Sequence, residues 1–160
     1  MKRYTHIIAG FSLGFLLGNT FLESITYAFL SSLGAEIPDR DLRLFGGRYH
    51  RRLLHNVFIP LMVVMASPIL AYTTKISPPP EIVRLSMVFA TGFLSHILLD
   101  AITLRGVALF FPFSNKTYGI RVVATNNTAA NVLISGFFIL LTLTWLVEKC
   151  YLCSTITPSG

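Results

Sequence analysis

Apolar residues fill most of the chain, and the interruptions in that pattern define its elements. Residues 7–33 are apolar but broken in the middle, where Gly18-Asn19 is a helix stop and Thr20-Phe-Leu-Glu23 fits a capping box. The break predicts two helices of about 13 or 14 residues, each rising only ~20 Å. That is short for a hydrocarbon core of ~30 Å, so the pair reads as a re-entrant or shallow hairpin. A hairpin returns the chain to the face it left, which puts His6 and Asp39 on one side. Residues 53–72 form a continuous apolar run long enough to span despite Pro60 and Pro68. The loop Lys75-Ile-Ser-Pro-Pro-Pro-Glu81 turns the chain round, and residues 81–103 return as a second span. Residues 106–114 are too short to cross and contain Pro112, which predicts an interfacial or re-entrant loop. Residues 128–147 form a last span without a charged residue.

Composition turns these runs into membrane spans. The chain has 160 residues, 53% hydrophobic and 12% charged, with a mean hydropathy of +0.66, against about 25% charge in an ordinary soluble domain. The expected fold is therefore one all-α, polytopic membrane domain over residues 1–160, a short N-terminal helical hairpin plus three transmembrane helices. The charged start and apolar run of residues 1–18 resemble a signal peptide, but no small-x-small cleavage site follows, so an uncleaved first helix is expected. Ten basic residues fall on the face holding the N-terminus and the 37–52 and 105–121 loops, and three (Lys75, Arg84, Lys149) on the other. This asymmetry places the N-terminus and the site loops in the cytoplasm of a multi-pass cell-membrane protein. It also accounts for much of the net charge of +6 as a topology signal and not as a nucleic-acid footprint. The sequons at Asn115 and Asn126 then lie on the cytoplasmic side and stay unmodified. Cys150 and Cys153 form a lone CxxC, with structural or incidental use expected.

Against this apolar background, residues 37–56 stand out as a polar island with Asp39, Asp41, His50 and His55. His6 lies near the chain start, and His96 and Asp100 are four residues apart near the end of a predicted span, so both face one atom from a helix. Gly92, one turn earlier on that stripe, admits a close helix neighbour. A carboxylate in the bilayer costs roughly 2.5 to 3.5 kcal/mol, and coordination to a cation removes that cost. His6, Asp39, His55, His96 and Asp100 make a mixed nitrogen and oxygen ligand set suited to zinc, or to manganese or iron in a two-metal site. Such a site generates a hydroxide nucleophile near neutral pH. Asp41 or His50 is the candidate proton shuttle. Arg51 and Arg52 are candidates for binding an anionic small molecule or lipid through the guanidinium fork, beside a general contact of the arginine-rich loop with headgroups. The alternatives are a non-enzymatic membrane protein with a structural metal site or a buried polar cluster, and a cation or proton carrier. No charged path across the membrane supports the carrier.

Thr5-His6, Ile37-Pro-Asp-Arg-Asp41, His50-Arg51 with His55, Ser95-His-Ile-Leu-Leu-Asp100, Thr103, Gly106 and Pro112-Phe-Ser114 together resemble the membrane-bound metal-dependent hydrolase family. The resemblance covers residues 1–114 and leaves the last span outside. The helical HxxxD is also similar to that of the mainly α-helical zinc phospholipases C and their single-strand nuclease relatives. That wider similarity implies the same five ligands and hydrolysis of a phosphoester, and the expected function is metal-dependent hydrolysis of a phosphoester or phospholipid. The chain departs from the family in reading His50-Arg-Arg-Leu-Leu-His-Asn56, without that motif's glycine, threonine and serine, and no histidine follows Asp41.

Overall fold

The computed structural model describes residues 1–40, 53–75 and 79–156. Among the described residues the fold is all-helical: α1 Arg3–Leu16, α2 Phe21–Glu36, a 3-10 turn Ile37–Asp39, α3 Phe58–Thr74, α4 Pro79–Ala101 and α5 Thr128–Ile156. The N-terminal hairpin forms as its punctuation predicts. The Thr20 hydroxyl accepts from the Glu23 amide at 3.2 Å, and the Glu23 carboxylate reaches back to the Asn19 amide at 3.0 Å. Two orphan donors at the start of α2 are thereby satisfied. α1 packs along α2, α2 along α4, and α4 against α1 and α3, while α5 packs on α1.

Close approach of α2 and α4 depends on glycine at two places. A Cβ on Gly92 would overlap the backbone oxygen of Ser31, and one on Gly34 the backbone oxygen of Phe89. The α2–α4 contact is therefore nearly backbone to backbone, the geometry small residues provide in membrane bundles.

The polarity of the bundle runs inside out. Ser12, Ser24, Ser31, Ser67, Ser86 and Ser95 are buried, whereas Leu61, Met62, Met65 and Ile69 on α3 and Leu133, Phe137 and Leu140 on α5 are exposed. Lipid as solvent explains the inversion: apolar side chains need no burial there, and polar ones need partners. Ser67 and Ser86 bond each other across α3 and α4 at 3.0 Å, and Thr142 bonds Ser12 across α5 and α1 at 2.7 Å.

Among the described residues, two helices, over residues 80–101 and 128–149, are long and apolar enough to cross a membrane. α3 has 17 residues and rises only ~25 Å, so it falls below that length, where the sequence pattern predicts a span from residue 53. The physical reason is Asn56. Its side-chain oxygen accepts from the amides of Phe58 and Ile59 at 3.0 and 3.2 Å, capping the helix there and leaving residues 53–56 as an irregular approach. α5 extends beyond the predicted end at 147 because Glu148 and Lys149 continue the helix past the apolar run. Residues 102–127 fold back under the bundle through isolated bridges, Thr103 with Val123 and Val107 with Tyr118. Residues 106–114 contain no helix, and the Leu109 carbonyl accepts from the Val57 amide at 3.1 Å.

Candidate metal centre

Four separate pieces of chain end at one place. The first turn of α1 supplies His6, the 3-10 turn Asp39, the approach to α3 His55, and the last two turns of α4 His96 and Asp100. The hairpin explains the meeting of the first two: α1 leaves this face and α2 comes back to it. Glu36, at the end of α2, pairs with Arg3 and, at 3.4 Å, with Arg40, which fastens both ends of the hairpin beside the site. Pro38, in the 3-10 turn, is buried and stiffens the entry to Asp39.

The donor atoms face one another at short range. His96 Nε2 lies 3.2 Å from His55 Nε2, 3.5 Å from Asp39 Oδ1 and 3.8 Å from Asp100 Oδ2. His55 Nε2 is 3.7 Å from Asp39 Oδ1 and 3.7 Å from Asp100 Oδ2, and His6 Nε2 is 3.3 Å from Asp100 Oδ1. Two groups result, His6–His96–Asp100 and Asp39–His55–His96. The rings of His6 and His96 stack with centroids 3.7 Å apart, and His55 meets His96 edge-on. The Met1 amino group also contacts Asp100 Oδ1.

Burial makes this arrangement expensive for bare imidazoles. His6, His55, His96 and Asp100 are all at most 1% exposed, and neither ring nitrogen of His6 makes a hydrogen bond. Buried polar atoms in that state call for a partner. Burial also lowers the pKa of His6, which lies outside the two long spans, against the raising influence of Asp100. A neutral imidazole with a lone pair is the form that ligates metal. The tautomer of His96 follows from its other nitrogen: Nδ1 sits 2.6 Å from the Ala35 carbonyl oxygen, which only accepts, so Nδ1 carries the proton and Nε2 a lone pair directed into the site. Two nitrogens on one tetrahedral zinc at ~2.05 Å are separated by ~3.3 Å. The donor separations here fit a cation among them.

The structure thus brings together His6, Asp39, His55, His96 and Asp100. Asp41, His50, Arg51 and Arg52 lie outside the described residues. Two participants escape the sequence reading. The Ala35 carbonyl carries no side-chain signal at all. Asn131, fully buried on α5, accepts from the Lys2 amide at 2.9 Å and from the Thr5 hydroxyl at 2.8 Å, beside His6; a lone amide in an uncharged span is the signal that could have found it. Asp39 is the partly open corner of the cluster, its side chain 31% exposed.

No curated protein and no solved structure matches the chain. A family model described as YdjM inner membrane protein matches residues 1–157, in agreement with the inverted polarity and the two long apolar helices. The match takes in the last span, which the motif resemblance leaves out. The chain belongs to the YdjM inner membrane protein family.

Proposed function

We propose that this protein is a metal-dependent hydrolase of phosphoester bonds, with phospholipids the favoured substrates, working at the cytoplasmic face of the membrane. The observation that carries the reading is the convergence of three imidazoles and two carboxylates with facing donor atoms 3.2 to 3.8 Å apart, close to the ~3.3 Å edge of a tetrahedral zinc site. Zinc fits the ligand set first, with manganese or iron as alternatives, and the ion supplies a Lewis acid that brings the pKa of water toward neutrality. The chain's residues supply the rest. His96 offers one lone pair, because Nδ1 is committed to Ala35, so it cannot serve both groups at once. Asp100 turns Oδ1 to His6 and Oδ2 to His55 and His96, so it would serve as a ligand beside any of the three imidazoles. Asp39 marks the side from which substrate enters. Asp41 or His50 moves the proton, and Arg51 with Arg52 holds the anionic group through paired N–H donors.

The same reading has α3 as a third, tilted span and the site face in the cytoplasm, on the strength of ten basic residues against three. The test is the metal content of detergent-purified protein by elemental mass spectrometry, with wild type beside His96→Ala and Asp100→Ala. Stoichiometric metal in wild type, lost in both folded variants, followed by turnover of a phosphodiester, supports the hydrolase. A second reading, a structural metal staple, is favoured by the near-complete burial of the three imidazoles. Bound metal without turnover of any phosphoester would select it.

A further inference from the structure

Beside the metal site, the approach to α3 and the 106–114 loop leave a groove of about 560 Å³ between them, within the ~300–1,000 Å³ of small-ligand sites. Leu53, Leu54, Phe58, Ile59 and Met62 form one wall and Phe111 to Phe113 the other, with Asn56 the polar member of the lining. We infer that this groove holds an acyl chain of a bilayer phospholipid and presents that lipid to the metal centre. The inference rests on the hydrolase reading for the lipid's fate, and on the groove alone for its occupant.

Three observations select an acyl chain. First, the groove opens on the lipid-facing side of α3. Leu61 and Met62, which line it, are 56% and 68% exposed and begin the same outward stripe that continues through Met65 and Ile69. The hydrocarbon that covers that stripe has an unbroken path inward. Second, water is a poor occupant, since ordered water needs two to four polar partners and Asn56 spends its side-chain oxygen on the Phe58 and Ile59 amides and its nitrogen on the Leu53 carbonyl. Third, one short segment serves both places. His55 enters the metal cluster, while Leu53, Leu54 and Asn56 on either side of it line the groove. A phospholipid chain lying there brings its phosphodiester to the end formed by the His55 segment.

The test uses full-length protein in vesicles of phosphatidylethanolamine and phosphatidylglycerol, a small fraction of which carries a diazirine on the acyl chain. After photolysis, adducts are mapped by mass spectrometry in wild type, Met62→Trp and Phe113→Glu. Both side chains are exposed, but Phe113 also packs on the Phe58 ring, so thermal unfolding beside wild type establishes that each variant folds, and Met62→Trp carries the test alone if Phe113→Glu does not fold. Adducts on residues 53–62 and 111–113 should exceed those on Leu133, Phe137 and Leu140 of α5, which report general lipid contact. Each variant should lower the groove adducts about tenfold, the factor carried by ~1.4 kcal/mol of lost chain binding, with α5 adducts unchanged. Both variants should also lose turnover of the long-chain phospholipid while keeping that of water-soluble bis(4-nitrophenyl) phosphate. Groove adducts no stronger than those on α5, or insensitive to both substitutions, overturn the proposal. Failure of the hydrolase reading shows separately, as absent metal or absent turnover of the soluble ester in wild type; with strong groove labelling, that result overturns the substrate role.

Discussion

Replacing Asn131 with alanine removes the acceptor shared by two donors at the start of α1, the Lys2 amide and the Thr5 hydroxyl, and deletes the donor that closes onto the Asn127 and Thr125 carbonyls. Thr5 is fully buried, so water does not replace the lost partner. An unsatisfied buried donor costs about 1–3 kcal/mol in a soluble protein, while interhelical bonds in a membrane average only ~0.6 kcal/mol. The two lost bonds between α5 and the start of α1 therefore lower stability by about 1–3 kcal/mol. The larger consequence is at His6, the next residue, whose orientation depends on the first turn of α1. Loss of a group that orients a ligand typically weakens metal binding about 10–100-fold. Competition with a fluorescent zinc chelator in detergent, run beside thermal unfolding, measures both quantities. Thr5→Val is the companion variant: it deletes one donor, leaves Asn131 bonded to the Lys2 amide, and should give a smaller loss of affinity. Metal affinity of Asn131→Ala within about threefold of wild type, well below the effect usual for such groups, would refute the idea that α5 positions the site.

Other substitutions separate stability from the site. Gly92→Ala forces α4 away from Ser31 and should cost about 1–3 kcal/mol as overpacking; because α2 carries the Ala35 carbonyl and leads into Asp39, metal affinity should fall with it, as chelator competition would show. Thr20→Ala removes the α2 cap at the far end of the hairpin and should cost about 1 kcal/mol with metal affinity unchanged. Glycosylation mapping in a eukaryotic membrane should find Asn115 and Asn126 unmodified, and sugar on either residue would reverse the proposed orientation.

What could be read in the sequence was whatever a residue type announces locally. Gly18-Asn19 followed by Thr20 and Glu23 specifies a stop and a restart, and the structure has both. The i, i+4 pair His96 and Asp100 needs only helical geometry to point one way, and the hairpin return needs only two short helices, so the placing of His6 and Asp39 on one side followed from counting. Asn56 was legible as a residue but not in its role. Inside a long apolar run nothing distinguishes a helix that begins at 53 from one that begins at 58, until the side chain of Asn56 is seen to take two amides. That choice has a functional consequence, since a helix running through 55 would fix the His55 direction by the α3 axis, whereas the irregular approach lets the imidazole turn in toward His96.

The support around the ligands was hidden for a different reason. His96 is held through a main-chain carbonyl, and every residue of α2 has one; which carbonyl lies 2.6 Å from Nδ1 is decided by how closely α2 and α4 approach. That approach is set by Gly34 and Gly92, whose missing side chains bring the two backbones together. The small residues therefore act on the site at one remove: they fix the distance at which Ala35 meets His96, hence the tautomer of His96, hence the direction of its free lone pair. Polar side chains inside a bundle surrounded by lipid have few partners to choose among, and a ligand oriented through the backbone is less easily disturbed than one oriented by another side chain. A substitution at position 35 that preserves the helix should accordingly leave the metal centre intact if its side chain fits, while a bulkier residue at position 92 should not.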